Sequence, residues 1–264
     1  MEQNESEYFK NDFKAVFHGD LPSQSSIYTS CIVPPSSGRP SRILLSPLVQ
    51  SFRVYSCSQA PKVDVFEKMY AYLHHGCQII SIHIFSASET PLEFITGITW
   101  SNNLDEDSQA YFFNIYESSA DYDLINCIDS LELDFVPYQL THTPYNSEGH
   151  TCFILSGSDN RIHVFCYGLE QAYAEVEVDE LFPEFVKDLP SVALSVDFKC
   201  QDGKRYTGIG LECGTFITFI VDLETMEIID KYQYSFEGPL TNVIFFPTGN
   251  LQCKKDRETA EYEN

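Results

Sequence analysis

Three oxygen-bearing side chains occupy alternate positions in one acidic loop. Asn103, Asp105 and Asp107 have the spacing at which oxygen ligands can converge on a calcium ion. The glycine that makes the sharp turn of a calcium loop is absent, because Ser108 and Gln109 follow. This pattern favours a solvated acidic loop, and the sequence predicts no metal ligand here.

A second cluster combines imidazole and thiol side chains. His74, His75 and Cys77 lie close together in sequence, and His83 lies further on. A closed zinc site needs four nitrogen or sulfur ligands at workable spacing, and no second Cys/His pair follows. The sequence therefore predicts neither a zinc site nor any other cofactor.

Ser158 has the sequence context nearest to that of a nucleophile. It lies in Ser-Gly-Ser-Asp, which differs from the Gly-x-Ser-x-Gly elbow and follows a strand instead of opening a helix. The neighbouring Asp159 is typical of a turn former. Gly208 and Gly210 lie in a predicted strand with no helix N-terminus after them, which disfavours a phosphate-binding loop.

Carboxylates alternate at Glu132/Asp134 and at Glu175/Glu177. Residues two apart on a strand share one face, so these pairs favour a solvated surface over a catalytic acid and base. With no catalytic, cofactor-binding or metal-ligating residue assigned, the sequence predicts a protein that is not an enzyme. An enzyme of unknown type is the least supported alternative, since no assembled site is visible.

The elements that carry these residues are predicted to be short strands. The stretch from Thr151 to Tyr167 consists of an apolar run, a polar turn, and a second run in which Ile162, Val164 and Cys166 alternate with other side chains. This pattern is typical of a β-hairpin. Because one hairpin cannot bury both of its faces in water, the rest of the chain must supply partners for it.

Similar patterns recur along the chain. Residues 63–73 fit either a strand or a short helix, whereas the other runs predict strands. These predicted strands are Ser26–Val33, Ile43–Leu45, Ser51–Tyr55, Gln78–Phe85, Phe94–Trp100, Tyr111–Tyr116, Leu131–Phe135, Pro137–His142, Tyr173–Val178, Ser191–Phe198, Tyr206–Leu211, Thr215–Asp222, Met226–Phe236 and Leu240–Phe246.

The strands repeat in groups. Runs centred near Ile27, Ile80, Gln139, Val196 and Val243 recur at steps of 47 to 59 residues, roughly the repeat length of a propeller blade. The sequence therefore predicts an all-β fold, an incomplete β-propeller of about four antiparallel four-stranded blades. A β-sandwich with long connections is the structural alternative.

The repeat also predicts the domain organisation. We expect a flexible acidic N-terminal arm over residues 1–22 and a disordered polar tail over residues 247–264. Between them lies the partial propeller of residues 23–246, with blades near 23–75, 76–135, 136–190 and 191–238 and the start of a fifth over 239–246.

Charge and composition limit the partners. The chain has 16 Lys and Arg residues against 39 Asp and Glu residues, a formal net charge of -23. A field of that sign repels phosphate backbones and anionic lipid, so nucleic-acid binding and direct membrane insertion are both disfavoured. The 9 cysteines are scattered singly, and no secretory signal is visible at the start of the sequence, so we expect reduced thiols in a cytoplasmic or nuclear protein.

Several motifs together resemble the kaptin family of β-propeller proteins, which belong to the KICSTOR complex. In order, they are Pro22–Tyr28, IISIHIF (79–85), TGITW (96–100), FFNIY (112–116), LELDFVPYQLTH (131–142), FILSGSDNRIHVF (153–165), ELFPE (180–184) and EGPLTNVIFF (237–246).

The resemblance implies a non-enzymatic scaffold. Kaptin-like proteins act within KICSTOR, which holds the GTPase-activating complex for Rag GTPases at the lysosomal surface and restrains TOR signalling when amino acids or glucose are scarce. The expected partners are therefore the other KICSTOR subunits and, through them, the Rag GTPase-activating complex. The expected location is the cytoplasm, peripheral at the lysosomal surface.

The family also implies an alternative of the cytoskeletal class, association with actin filaments at the actin-rich cell edge. Actin is itself acidic, so the net charge of -23 should slow encounter between the two proteins.

The resemblance has one departure. Kaptin-like proteins continue with further blades, some with integrin-like FG-GAP features, whereas the pattern here stops after Phe246. The sequence resembles the N-terminal half of such a protein. Because a propeller without its later blades exposes apolar faces and strand edges, we expect this chain to be unstable alone or to complete itself with a partner.

Overall fold

The computed structural model describes residues 24–33, 41–47, 51–59, 62–69, 73, 76–86, 94–102, 109–119, 123–146, 149–168 and 172–246. Regular secondary structure in these ranges comprises 16 β-strands and two 3₁₀ turns, Ile27–Thr29 and Pro183–Phe185. The predicted all-β fold class is confirmed.

The strands form four antiparallel sheets, and neighbours within each sheet are consecutive in the chain. Sheet 1 contains β1 (Ser30–Val33), β2 (Arg42–Leu45), β3 (Ser51–Gln59) and β4 (Lys62–Met69). Sheet 2 contains β5 (Gln78–Ser86), β6 (Phe94–Asn102), β7 (Ala110–Ser118) and β8 (Leu124–Leu133). Sheet 3 contains β9 (Pro137–Pro144), β10 (Thr151–Gly157), β11 (Ile162–Tyr167) and β12 (Tyr173–Glu175). Sheet 4 contains β13 (Ala193–Gln201), β14 (Lys204–Leu211), β15 (Thr215–Asp222) and β16 (Ile228–Ser235).

The first strands of the four sheets lie side by side. β5 contacts both β1 and β9, and β9 contacts β13. Sheets repeated about their first strands are the blades of a β-propeller, because one four-stranded sheet can bury its faces only against its neighbours. This arrangement confirms the predicted set of four-stranded blades.

The core lies between successive sheets. Sheets 1 and 2 enclose one apolar cluster, sheets 2 and 3 a second, and sheets 3 and 4 a third. The side chains from both partners at each interface include Leu44, Phe52, Ile82 and Ile98 in the first cluster, Phe85, Phe113, Phe153 and Phe165 in the second, and Ile154, Val164, Ile209 and Phe219 in the third.

Strand burial follows from position in this array. β6 of sheet 2 is buried continuously from Phe94 to Ser101, because neighbouring sheets cover both of its faces. β15 of sheet 4 alternates between buried and half-buried residues over its whole length, because only its sheet 3 side is covered. The two middle sheets are thus packed on both faces. Sheet 1 is packed on one face, and the outward face of sheet 4 is covered only in part, by Leu240–Phe246.

The predicted strand over Ser26–Val33 is wrong at its start. Residues Ile27–Thr29 form a 3₁₀ turn, and β1 begins at Ser30. The Ser26 hydroxyl accepts a hydrogen bond from the Tyr28 N–H (3.0 Å), and the Ser26 N–H donates to the Thr29 hydroxyl (3.1 Å). This reciprocal capping stabilises the turn locally, although apolar side chains had suggested a longer strand.

Two histidines meet where the first strands of sheets 2 and 3 lie against each other. His83 Nε2 is 2.6 Å from His142 Nδ1, and the His142 ring stacks on Phe85 with centroids 5.0 Å apart. Burial, reinforced by the neighbouring His142, lowers the pKa of His83 well below its ordinary 6.5, and burial lowers the pKa of His142 to about 4. The pair is therefore neutral at pH 7, with one ring donating to the other.

This pair should make the protein sensitive to acid. The folded state binds fewer protons at this pair than the unfolded chain does. The stability that the neutral pair contributes is therefore fully present above about pH 6.5 and is lost as the pH falls towards the lowered pKa values. We expect the urea midpoint of the wild type to fall between pH 7 and pH 5 by more than that of the His83→Phe/His142→Phe variant. Equal falls in the two proteins would contradict this assignment.

Candidate interaction surfaces

The outward face of sheet 1 carries a row of apolar side chains that crosses all four strands. Ile32, Ile43, Tyr55 and Val65 are successive cross-strand partners. Ile32 is 70% exposed and Ile43 50% exposed. Directly opposed side chains on one face touch, so the row forms a continuous apolar surface. A surface of this kind marks a site of interaction with another element or protein.

The outward face of sheet 4 is aromatic at one end. Phe216 of β15 faces Tyr234 of β16, with ring centroids 6.3 Å apart and planes 21° apart. Thr218 faces Tyr232 in the next row on the same face. Tyr232 and Tyr234 lie on the last strand of sheet 4 and are exposed.

Leu240–Phe246 covers part of the outward face of sheet 4. Gly208 and Gly210 of β14 provide the space for it: a Cβ atom at Gly208 would lie 2.9 Å from Val243 Cγ1, and one at Gly210 would lie 2.8 Å from the Leu240 carbonyl oxygen. Side chains cannot approach so closely, so both positions require glycine for packing. These are the glycines that the sequence places in a strand and not in a phosphate-binding loop.

A cleft of about 330 Å³ opens at the outer edge of sheet 3. Its most buried polar side chain is His163 of β11. The cleft is lined by Arg161, Ile162, His163, Glu175, Val176, Glu177 and Val178.

His163 contacts a carboxylate with each ring nitrogen. Nδ1 lies 2.7 Å from Glu175 Oε1, Nε2 lies 3.1 Å from Asp159 Oδ2, and the ring stacks on Phe135 with centroids 3.8 Å apart. Burial opposes the charged ring, but hydrogen bonds to the two carboxylates outweigh burial and raise the pKa of His163. The protonated ring donates to both acceptors and so holds the turn before β11 against the short edge strand β12.

The raised pKa of His163 predicts a stability change of opposite sign to that of the buried pair. The contribution of charged His163 to the free energy of unfolding is fully present below the unfolded pKa of about 6.5. It is lost as the pH rises through the folded pKa. We expect His163→Gln to lower the urea midpoint more at pH 6 than at pH 9. A loss of the same size at both pH values would show that the charge on His163 does not contribute.

A buried ion pair anchors the segment that joins sheets 3 and 4. The Arg205 guanidinium donates from Nε to Glu184 Oε1 (2.9 Å) and from Nη2 to Oε2 (3.0 Å), and Thr207 donates to the same carboxylate (2.9 Å). Arg205 Nη2 also donates to the Leu181 carbonyl (2.9 Å), and the guanidinium lies 4.1 Å from the Phe182 ring centroid. Both charged side chains are fully buried, so the ELFPE motif (180–184) is anchored by an ion pair that does not reach solvent.

In the structure, the side chains of Ser158 and Asp159, at the turn before β11, bind backbone N–H groups. The Ser158 hydroxyl accepts from the Val136 N–H (3.0 Å), and Asp159 Oδ1 accepts from the Arg161 N–H (3.2 Å). The sequence alone identified Asp159 as a turn former but missed its contact with His163, since a one-dimensional pattern does not show which strand faces reach the turn.

The structure describes only some of the other residues that the sequence singled out. Asn103, Asp105, Asp107, His74 and His75 lie outside the described residues. Glu132, Asp134 and Glu177 are exposed, and Glu175 contacts His163. Among the described cysteines, those that are buried with free thiols are Cys31, Cys77, Cys152 and Cys166.

The described ranges contain neither a metal-binding cluster nor a membrane-spanning helix. Among those residues, no group of three or more His, Cys, Asp or Glu side chains could hold a metal ion. In the same part of the chain, no helix has the length and apolar character needed to cross a bilayer.

The whole sequence was also compared with known proteins. The family model described as "KICSTOR complex protein kaptin" matches residues 13–264. This chain belongs to the kaptin family. Mouse kaptin is 29% identical over 251 residues, which are 90% of this chain and 58% of the mouse protein. The chain thus spans a little over half the length of that kaptin, and the family resemblance of its motifs is confirmed.

Two solved structures superpose in part on this chain. BBS1N in complex with ARL6DN gives a TM-score of 0.42 at 10% identity, covering 83% of this chain and 60% of that chain. Sqt1 of Saccharomyces cerevisiae gives a TM-score of 0.39 at 8% identity, covering 75% of this chain and 61% of that chain.

Proposed function

We propose that this chain is a non-enzymatic interaction scaffold and a kaptin-like subunit of the KICSTOR complex. Through that complex it recruits the Rag GTPase-activating complex to the lysosomal surface and restrains TOR signalling during amino-acid or glucose starvation. The observation that carries the proposal is the match of the kaptin family model to residues 13–264.

The surfaces of the molecule support a scaffold role. The apolar row Ile32, Ile43, Tyr55 and Val65 crosses sheet 1, and aromatic side chains line sheet 4 at the opposite end of the array. Propeller blades offer several faces at once, and apolar faces of this kind bind proteins. Under this proposal the chain contributes only protein contacts, and its lysosomal location depends on its partners.

Affinity purification from starved cells tests the proposal. The tagged full chain is expected to recover the other KICSTOR subunits and, with them, the Rag GTPase-activating complex. Ile43→Asp places a charge in the apolar row of sheet 1 and is expected to reduce that recovery. Val186→Asp, at an exposed aliphatic side chain outside the row, is the matched control and should recover as much as the wild type.

Recovery of no KICSTOR subunit from starved cells would contradict the proposal. Recovery of actin without any KICSTOR subunit would contradict it as well and would favour the cytoskeletal alternative. Phosphorylation of TOR substrates in the same cells provides a second measurement, because a working subunit should lower it on starvation.

A further inference from the structure

Two buried cysteines face each other across the hairpin of β10 and β11. Cys152 of β10 is the cross-strand partner of Cys166 of β11. Both have free thiols, and both belong to the apolar cluster between sheets 3 and 4. Directly opposed residues of an antiparallel pair project to the same face, so the two thiols are neighbours. A buried thiol is inert by itself, whereas two neighbouring thiols can close to a disulfide.

The backbone places this pair where β10 and β11 do not bond to each other. The Val176 N–H donates to the Val164 carbonyl (2.9 Å), so Val164 of β11 bonds towards β12. Alternate residues of a strand bond towards the same side, so Cys166 also bonds towards β12 and not towards β10. Cys152 and Cys166 are therefore a non-hydrogen-bonded pair.

A non-hydrogen-bonded pair has the spacing that a disulfide needs. The Cα atoms of such a pair lie about 4.5 Å apart, within the range of about 4.4 to 6.8 Å that disulfides span. The Cys152 thiol donates to the Thr143 carbonyl oxygen of β9 (3.4 Å). Closure of the disulfide would exchange this weak hydrogen bond for a covalent bond. It needs rotation of the two side chains and no change in strand register.

We propose that Cys152 and Cys166 form a reversible disulfide in response to a peroxide and that this bond holds the hairpin of β10 and β11 together. The closed loop contains the turn at Asp159 and the cleft residue His163. A cross-link of this kind restricts the separated states of the two strands and so opposes their opening. The proposal does not depend on the KICSTOR assignment, because it rests on the register of two strands.

Cys166 is the thiol that reacts first. The hydrogen bond with Cys152 lowers the pKa of Cys166, whereas burial raises the pKa of Cys152 well above its ordinary value. The thiolate is the nucleophilic form of cysteine. Cys166 is 6% exposed, and Tyr167 after it is 50% exposed, so a small neutral oxidant has a short path to the sulfur.

Hydrogen peroxide supplies the oxidising equivalents in two steps. The Cys166 thiolate attacks one peroxide oxygen and the O–O bond breaks, which leaves a sulfenic acid and a hydroxide that takes up the thiol proton to become water. The Cys152 sulfur then attacks the Cys166 sulfur, the S–O bond breaks, and the hydroxyl leaves as water with the Cys152 proton. In sum, two thiols and one peroxide give one disulfide and two waters, and a dithiol reductant reverses the change.

Peptide mapping of the folded full chain tests the proposal. The protein is treated with hydrogen peroxide, its remaining thiols are alkylated, and it is digested without reduction. Cleavage by a Glu-specific protease after Glu148 and by trypsin after Arg161 places Cys152 and Cys166 in separate peptides. We expect these peptides to be joined, with a mass lower than their sum by two hydrogen atoms, and dithiothreitol to separate them.

Two variants and one stability measurement complete the test. Cys166→Ala should reduce the joined peptide to background, whereas Cys213→Ser, which removes an exposed thiol, is the matched control and should leave its yield unchanged. The oxidised wild type should unfold at a higher urea midpoint than the reduced protein.

Three results would overturn the proposal. The first is peroxide treatment that oxidises Cys166 without joining it to Cys152. The second is a joined peptide that forms only when urea is present. The third is an oxidised protein that has the same urea midpoint as the reduced one.

Discussion

Replacing Glu184 with alanine is expected to lower the free energy of unfolding by about 3 to 5 kcal/mol. The carboxylate accepts two hydrogen bonds from Arg205 and one from Thr207, and neither ionic side chain reaches solvent. Removal of the carboxylate leaves the guanidinium buried without a counter-charge, which costs far more than the loss of a contact. Urea denaturation of the variant and the wild type at pH 7 measures the difference.

Two controls distinguish the cost of an unpaired buried charge from the cost of lost packing. The exposed pair of Arg161 and Asp188, whose nearest atoms lie 3.5 Å apart, is a matched ion pair on the surface, so Arg161→Ala should change stability little. Replacement of both buried partners, as Glu184→Met/Arg205→Met, should cost less than Glu184→Ala alone, because no charge is left unpaired. A Glu184→Ala variant as stable as Arg161→Ala would contradict this account.

Replacing Phe153 with alanine is expected to cost about 3 to 5 kcal/mol of unfolding free energy. The ring is fully buried between sheets 2 and 3, with centroid distances of 5.0 Å to Phe85, 5.3 Å to Phe113 and 5.7 Å to Tyr173. Truncation would leave a cavity at the interface of two sheets that have no other way to bury these faces. Thermal and urea unfolding report the loss.

The exposed Tyr167→Ala variant is the control, since its ring neighbours Tyr173 but is 50% exposed. A double-mutant cycle adds a geometric test. A Cβ atom at Gly97 would lie 2.7 Å from Phe153 Cε1, so Gly97→Ala should destabilise the wild type by about 1 to 3 kcal/mol and the Phe153→Ala variant by less. Equal costs of Gly97→Ala in both backgrounds would show that the two residues do not share this space.

These losses matter because each sheet depends on its neighbours. In the part of the chain that the structure describes, three apolar clusters join the four sheets, and no sheet has a core of its own. The ion pair lies at the junction of sheets 3 and 4, and Phe153 lies at that of sheets 2 and 3. Destabilisation at either junction should therefore separate the array as a whole, as in other repeat proteins with nearest-neighbour interfaces.

Much of the strand content could be predicted from local patterns. The hairpin of β10 and β11 was predicted from its polar turn, and the turn has Asn160 at φ 64°, a left-handed conformation that asparagine tolerates. β8 was predicted only at its last residues, from Leu131. Its earlier part alternates poorly because it is the outermost strand of sheet 2, where Asn126, Cys127 and Ser130 are exposed.

The ambiguous run at residues 63–73 shows the limit of periodicity. Its apolar residues fit a helix or a strand, and the structure forms β4 over Lys62–Met69. Val65 pairs with Tyr55 of β3, so the edge of an existing sheet decides between the two conformations. Tertiary pairing therefore settled what local propensity left open.

The sequence by itself determined most of the strands, their grouping by four and the family of the chain, because alternation, turn residues and motif order are local or collinear properties. Only the tertiary structure decided which distant groups meet: His83 with His142, Glu184 with Arg205, and Val243 with Ser195. Each of these pairs joins residues from different elements of the fold, and their contact depends on the packing of those elements against each other. No local pattern encodes that packing, since any apolar face can in principle bury any other.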